Sequence, residues 1–180
     1  MNIPNLITIA RILLVPLIIL LLISEDFGWA FLVFAVAGLS DAADGALARA
    51  TNTQSEVGAY LDPLADKLLL VSTYATLGIT KQIPTWLVIT VISRDVFIIG
   101  GLMLARFMDR PVQVKPLWIS KLNTVAQIYF IGLVLAQLAF SAAPRVLIDL
   151  SALLVAGLTL ASGLAYMRQW ISHISETTSA

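Results

Sequence analysis

The sequence predicts an all-α membrane protein, a bundle of six transmembrane helices, and three observations carry this prediction. Hydrophobic residues make up 59% of the 180 residues, and the mean hydropathy is +0.92. Charged residues make up 12%, about half of the roughly 25% found in ordinary soluble domains. The apolar residues also fall into six runs of about 20 residues, the length that crosses a bilayer as a helix. We therefore expect one membrane domain over residues 1–180.

The six predicted helices are separated by short stretches of turn-forming or charged residues. Their expected ranges are 4–23, 29–50, 57–79, 84–106, 118–140 and 146–169. The first run has neither a basic leader nor a small-residue cleavage site, so we expect a retained helix rather than a signal peptide. The polar end, which holds the only histidine, His173, is predicted to be a solvated tail.

Composition excludes cysteine-based sites and argues against a nucleic-acid partner. The chain has no cysteine, so it has no disulfide and no thiolate metal site. Its formal net charge is zero, whereas binding to a phosphate backbone needs a basic surface. We therefore expect no nucleic-acid partner.

The positions of the basic residues predict which side of the membrane each connection faces. The connections after the second and fourth helices and the C-terminal end hold or adjoin Arg49, Arg106, Arg110, Lys115, Lys121 and Arg168, whereas the other connections hold only Lys81 and Arg145. Because positively charged connections stay in the cytoplasm, both termini are predicted to be cytoplasmic. The end of the second helix and the start of the third then meet at the cytoplasmic face.

Four aspartates lie within predicted spanning helices. Asp41 and Asp44 belong to the second helix, and Asp62 and Asp66 belong to the third. A charge at the centre of a spanning helix costs about 2.5–3.5 kcal/mol, so these residues need compensating partners. Residues three or four apart share a helix face, so each helix presents one pair of carboxylates. We expect the two pairs to face each other at one depth near the cytoplasmic side.

The chemistry of the four carboxylates favours a hard cation. Mg²⁺, Mn²⁺ and Ca²⁺ prefer oxygen ligands, whereas Zn²⁺ normally recruits nitrogen or sulfur. We expect two ions, separated by about 3.5–4 Å as in two-metal phosphoryl-transfer sites. Gly45 and Ala48, beside the first pair, are small enough to let a ligand approach the backbone closely. The alternative is that the aspartates cap helices or face water inside the bundle.

The pattern formed by these residues resembles the signature of the CDP-alcohol phosphatidyltransferase family. The matching positions are Asp41, Asp44, Gly45, Ala48, Arg49, Gly58, Asp62 and Asp66. The resemblance implies a six-helix membrane enzyme, usually a homodimer, which binds CDP-diacylglycerol at the cytoplasmic side. Such an enzyme transfers the phosphatidyl group to an alcohol, releases CMP, and uses Mg²⁺ or Mn²⁺ held by the four aspartates.

The resemblance also implies roles for individual residues. Asp66 would act as general base in addition to binding metal. Gly45, Ala48 and Arg49 would contact the CDP moiety, and Asn5, at the start of the first helix, is a further candidate for the nucleotide pocket. A phospholipase D-like synthase is excluded, because its paired histidine–lysine motifs cannot be built from one histidine.

Two shorter runs indicate the acceptor alcohol. Residues 93–96 and 115–124 resemble the cardiolipin synthases of the mitochondrial and actinobacterial type, whose acceptor is phosphatidylglycerol. Residues 61–67 are equally similar to phosphatidylglycerophosphate synthases, so glycerol-3-phosphate is the alternative acceptor. The chain lacks the presequence of the mitochondrial proteins, and we therefore expect it in a bacterial plasma membrane.

Four basic residues are candidates for holding the phosphate of the acceptor lipid: Lys67, Arg94, Lys115 and Lys121. Arg94 has an alternative, which is an ion pair with the neighbouring Asp95 or another buried carboxylate. Lys115 has the alternative of an ordinary anchor at the cytoplasmic membrane surface.

The sequence is also compatible with two other classes of protein. In a small ion or proton transporter the aspartates would form a relay, which intramembrane carboxylates alone would permit. The lack of an inverted repeat, and the small residues with Arg49 beside the aspartates, argue against it. A non-catalytic lipid-binding scaffold is the other alternative. Release of CMP from CDP-diacylglycerol separates both from the enzyme.

Overall fold

The structure, a computed structural model, describes the backbone of residues 3–51, 56–107 and 117–178, and the side chains of residues 11–40, 65–101, 103 and 117–169. Within these residues the chain forms only α-helices, which are α1 (Ile3–Ile23), α2 (Phe27–Thr51), α3 (Glu56–Ile79), α4 (Thr85–Phe107), α5 (Trp118–Phe140) and α6 (Arg145–Thr178). The all-α prediction is confirmed. The helix bounds agree with the six predicted ranges to within two residues, except at the end of the last helix.

The last helix is longer than the sequence predicts. It was expected to end at residue 169, but α6 has 34 residues and continues to Thr178. Neither glycine nor proline follows Gly163 within α6, so nothing there disfavours a helix even though the apolar run has ended. His173 therefore lies within α6, and the solvation of its side chain stays a prediction.

Two helix ends have the same hydrogen-bonded termination. Glu25 after α1 and Lys81 after α3 have positive φ angles, 60° and 58°. After Glu25, the Asp26 N–H donates to the Leu21 carbonyl at 2.9 Å. After Lys81, the Gln82 N–H donates in the same way to the Leu77 carbonyl at 2.9 Å. This pattern is the Schellman motif, in which a left-handed residue satisfies the last carbonyls of a helix. It ends α1 and α3 at the breaks that the sequence predicts.

Two helices have the apolar length that a membrane span needs. In the described residues, α5 and the Arg145–Gln169 part of α6 are long and apolar enough to cross a membrane, with mean hydropathies of 1.5 and 1.9. The helices also expose large apolar side chains, such as Leu13 on α1, Ile79 on α3 and Val125 on α5. Such surfaces suit a lipid environment. Six spans and cytoplasmic termini stay predictions.

The chain divides into two compact units. The first contains residues 1–83 and 131–145, and the second contains residues 84–130 and 146–180. In the first unit α1 packs against both α2 and α3, and its core includes the fully buried Ile18, Leu22 and Tyr74. The second unit combines α4, the first half of α5 and α6, with Leu87 and Val155 buried. One domain over residues 1–180 stays a prediction.

Candidate active site

The four predicted metal ligands lie on two helices of the first unit. Asp41 and Asp44 lie in α2, and Asp62 and Asp66 lie in α3. Only the side chain of Asp66 belongs to the described side chains, so the facing of the two pairs stays a prediction. Among the described side chains, no three histidine, cysteine, aspartate or glutamate residues lie close enough to hold a metal ion.

Asp66 forms an ion pair with Arg11 of α1. The Nη1 atom of Arg11 donates to Oδ1 of Asp66 at 2.6 Å. The Arg11 side chain is 4% exposed, whereas the Asp66 side chain is 40% exposed. The guanidinium is therefore enclosed by protein, while a substantial part of the Asp66 side chain stays exposed.

Sequence reasoning missed Arg11, although a signal was present. Arg11 is the only charged residue of the 21-residue helix α1. A lone buried charge in an apolar helix needs a partner to offset a cost of about 2.5–3.5 kcal/mol at the membrane centre. The sequence could have shown that a partner exists, but it could not have shown which carboxylate it is.

The residues predicted to contact the CDP moiety lie close to the aspartates along the chain. Asn5 is in α1, and Gly45, Ala48 and Arg49 follow Asp44 in α2. Their side chains lie outside those that the structure describes. Their contact with a nucleotide stays a prediction.

The candidate acceptor-binding residues have different environments. Lys67 is partly exposed on α3, next to Asp66 in the chain, and Lys115 lies outside the described residues. Lys121 is exposed in the second turn of α5, and its ammonium lies 5.7 Å from the ring centroid of Trp118. Trp118 is 78% exposed. A tryptophan and a lysine at a helix end are typical of a membrane interface.

Arg94 is the centre of a buried polar cluster in the second unit. Its Nη1 donates to Oδ1 of Asp95 at 2.9 Å, which confirms the predicted alternative of an ion pair with Asp95. Its Nη2 donates to the hydroxyl oxygens of Ser120 at 2.6 Å and Ser162 at 2.5 Å. The ring of Tyr166 lies 5.8 Å from the guanidinium carbon. The cluster links α4, α5 and α6.

The contact with Ser120 locates Arg94 relative to α5. Ser120 lies in the first turn of α5, two residues after Trp118. The guanidinium therefore lies at the level of the start of this helix, where Trp118 and Lys121 indicate a membrane interface. Arg94 interrupts an apolar helix in sequence, but its charged group lies beside the end of a neighbouring helix.

An apolar groove of about 410 Å³ lies beside this cluster, between α4 and α6. Its lining includes Ile89, Phe97, Leu160 and Met167, and Arg94 contributes the charged group. The Nε atom of Arg94 is buried and has no hydrogen-bond acceptor among the described residues. The groove thus combines an apolar wall with one charged lining residue, Arg94.

The comparison with protein families now identifies the class of this protein. The profile of the CDP-alcohol phosphatidyltransferase family matches residues 1–170. The chain therefore belongs to the CDP-alcohol phosphatidyltransferase family, as the pattern of aspartates and small residues predicts.

Individual relatives include synthases of two kinds. The cardiolipin synthase (CMP-forming) of Homo sapiens is 36% identical over 181 residues, which cover 92% of this chain and 60% of the human protein. The protein of the same name from Streptomyces coelicolor is 38% identical over 105 residues, covering 55% of this chain and 49% of that protein. The chloroplastic CDP-diacylglycerol–glycerol-3-phosphate 3-phosphatidyltransferase 1 of Oryza sativa is 34% identical over 184 residues, with coverages of 92% and 56%. The chain thus spans about half to three fifths of the length of these relatives.

Proposed function

We propose that this protein transfers the phosphatidyl group of CDP-diacylglycerol to an alcohol and releases CMP. The observation that carries the proposal is the family signature on α2 and α3, whose described member, Asp66, keeps 40% of its side chain exposed beside a buried arginine. An ion or a substrate can therefore approach this side chain.

The proposal includes two divalent ions, Mg²⁺ or Mn²⁺. The proposed ligands Asp41, Asp44, Asp62 and Asp66 supply only carboxylate oxygens, which these ions prefer. The partial exposure of Asp66 fits this assignment, because an ion and a diphosphate must both reach the carboxylate. Bound there, the ions would neutralise negative charge on the diphosphate and on the departing CMP.

The residues of the chain have distinct roles in this reaction. Asn5, Gly45, Ala48 and Arg49 hold the CDP moiety. Asp66 accepts the proton of the acceptor hydroxyl while the oxygen of that hydroxyl forms a bond to the phosphorus on the lipid side. The bond from this phosphorus to the bridging oxygen breaks, and CMP leaves with that oxygen. No covalent intermediate on the protein is needed.

We further propose phosphatidylglycerol as the acceptor and cardiolipin as the product. The cardiolipin synthases among the relatives support this choice, and the related rice protein keeps glycerol-3-phosphate as the alternative acceptor. The groove beside Arg94 favours a lipid acceptor, because its apolar wall suits an acyl chain and offers little to a small dianion. Arg94 and Lys121 are the candidates for holding the lipid phosphate near the start of α5. Lys67 and Lys115 stay candidates for the same role.

A product assay tests the proposed function. Purified protein is incubated with labelled CDP-diacylglycerol and either phosphatidylglycerol or glycerol-3-phosphate, with Mg²⁺ present. We expect CMP and cardiolipin with phosphatidylglycerol. Phosphatidylglycerophosphate without cardiolipin would overturn the acceptor and keep the reaction class. No CMP with either acceptor would overturn the enzyme proposal and favour a transporter or a lipid-binding scaffold.

Replacement of Lys121 tests the acceptor site separately. A charge-assisted hydrogen bond is worth about 1.5–3 kcal/mol, and the exposure of Lys121 favours the lower end. We expect Lys121→Ala to raise the KM for phosphatidylglycerol about tenfold, with the KM for CDP-diacylglycerol unchanged. Lys81→Ala is the matched control, since Lys81 is an exposed lysine in the connection after α3. Equal increases in both KM values would contradict the assignment.

The expected setting is a bacterial plasma membrane, with the active site on the cytoplasmic side. A homodimer is part of the same proposal, since dimers are usual in the family. The homodimer rests on the family resemblance alone, and the cytoplasmic side of the active site rests also on the distribution of basic residues between the connections.

A further inference from the structure

We infer that Arg11 is a positioning residue of the transfer site. Its guanidinium holds one oxygen of Asp66 and so fixes the orientation of the carboxylate that meets the metal and the acceptor hydroxyl. The inference rests on the proposed function for the role of Asp66. The contact between the two residues does not depend on that role.

The different exposures of the two side chains indicate that Arg11 acts through Asp66. The Arg11 side chain is 4% exposed, and the Asp66 side chain is 40% exposed. A lipid diphosphate can approach the exposed part of Asp66, whereas protein encloses the guanidinium of Arg11. Arg11 is therefore placed to orient Asp66 rather than to bind the substrate itself.

The packing of α1 against α3 makes this support rigid. Arg11, Ile18 and Leu22 lie seven and four residues apart, so they share one face of α1. Ile18 and Leu22 are fully buried, as are Tyr74 and Leu77 on the face of α3 that follows Asp66 at helical spacing. The ion pair thus lies at one end of two helices whose remaining turns are held in a close-packed core.

The geometry leads to two opposite consequences when Arg11 is replaced. A positive charge 2.6 Å from Oδ1 opposes a second cation on the same carboxylate. Removal of this charge strengthens binding of a divalent ion to the site. Removal of the hydrogen bond also takes away one restraint on the carboxylate, so that it spends less time in the orientation that accepts a proton, and the transfer rate falls.

The experiment compares Arg11→Met and Arg11→Lys with the unmodified protein. Mn²⁺ affinity is measured by electron paramagnetic resonance without substrate, and kcat and KM are measured from CMP release. For Arg11→Met we expect Mn²⁺ affinity to rise about fivefold, from the loss of a like charge a few ångströms away. We expect kcat to fall about 10- to 100-fold and the KM for CDP-diacylglycerol to stay unchanged. Arg11→Lys keeps the charge, so its Mn²⁺ affinity stays near that of the unmodified protein and its kcat is partly restored.

Lys81→Met is the matched control for the loss of one positive charge. Lys81 is exposed and follows the far end of α3, about 20 Å from Asp66 along the helix axis. We expect it to change neither Mn²⁺ affinity nor kcat. This result, together with the opposite shifts in Arg11→Met, would support the inference.

Three outcomes would overturn the positioning role. The first is a normal kcat in Arg11→Met. The second is a parallel loss of Mn²⁺ affinity and kcat in both Arg11 variants, which indicates only a structural contribution. The third is a raised KM with an unchanged kcat, which would make Arg11 a substrate ligand. If the unmodified protein releases no CMP at all, the proposed function fails, and an Mn²⁺ affinity that does not rise in Arg11→Met would then overturn the inference independently.

Discussion

Chelation of divalent ions with EDTA is expected to abolish CMP release, and added Mg²⁺ or Mn²⁺ to restore it. In the same assay, Asp41→Asn and Asp62→Asn are each expected to lower kcat by about 100- to 1000-fold, the range found when one group that stabilises transition-state charge is removed. Both effects follow from the proposed set of four carboxylate ligands. Loss of one ligand changes the charge and the geometry of the whole metal site.

The asparagine substitutions are chosen because they preserve shape. An amide has nearly the volume of a carboxylate, so the variants add no bulk to α2 or α3. Folding is checked by the thermal unfolding midpoint in detergent. Asp149→Asn is the control, because Asp149 is an exposed aspartate of α6 outside the proposed site. Full activity after exhaustive chelation would refute the metal site, and normal turnover in either variant would remove that aspartate from it.

The second large effect is expected for Asp66→Asn. This variant should still bind CDP-diacylglycerol but lose transfer by about 100- to 10,000-fold, the usual contribution of a general base. The amide oxygen can still accept the hydrogen bond from Arg11, so the contact between α1 and α3 is kept. The amide cannot accept the proton of the acceptor hydroxyl.

The measurement separates binding from transfer. The affinity for CDP-diacylglycerol is obtained by equilibrium titration, and the transfer rate from single-turnover release of CMP. An unchanged affinity with a much lower rate would identify Asp66 as the base. If affinity and rate instead fell together in proportion, Asp66 would be a binding ligand only, and another group would have to accept the proton.

The helices of this protein could be predicted closely because their signal is local. An apolar run of about 20 residues between polar breaks is sufficient to locate a spanning helix. The end of α6 was missed for the same reason. Hydropathy reports the length of the apolar run, whereas the helix continues to Thr178 through polar residues that are also compatible with it.

The sequence by itself determined the family and the positions of the four aspartates on two helices. It also predicted that the aspartates of each helix form a pair, because residues three or four apart share a helix face. Only the tertiary structure decided which polar groups from distant parts of the chain meet. Arg11 pairs with Asp66 across 55 positions of the chain, and Arg94 reaches Ser162 across 68 positions. Helical spacing carries no information about such contacts, since they depend on which faces of distant helices pack together. A charge in an apolar helix therefore predicts that a partner exists, and the packing of the helices determines which residue it is.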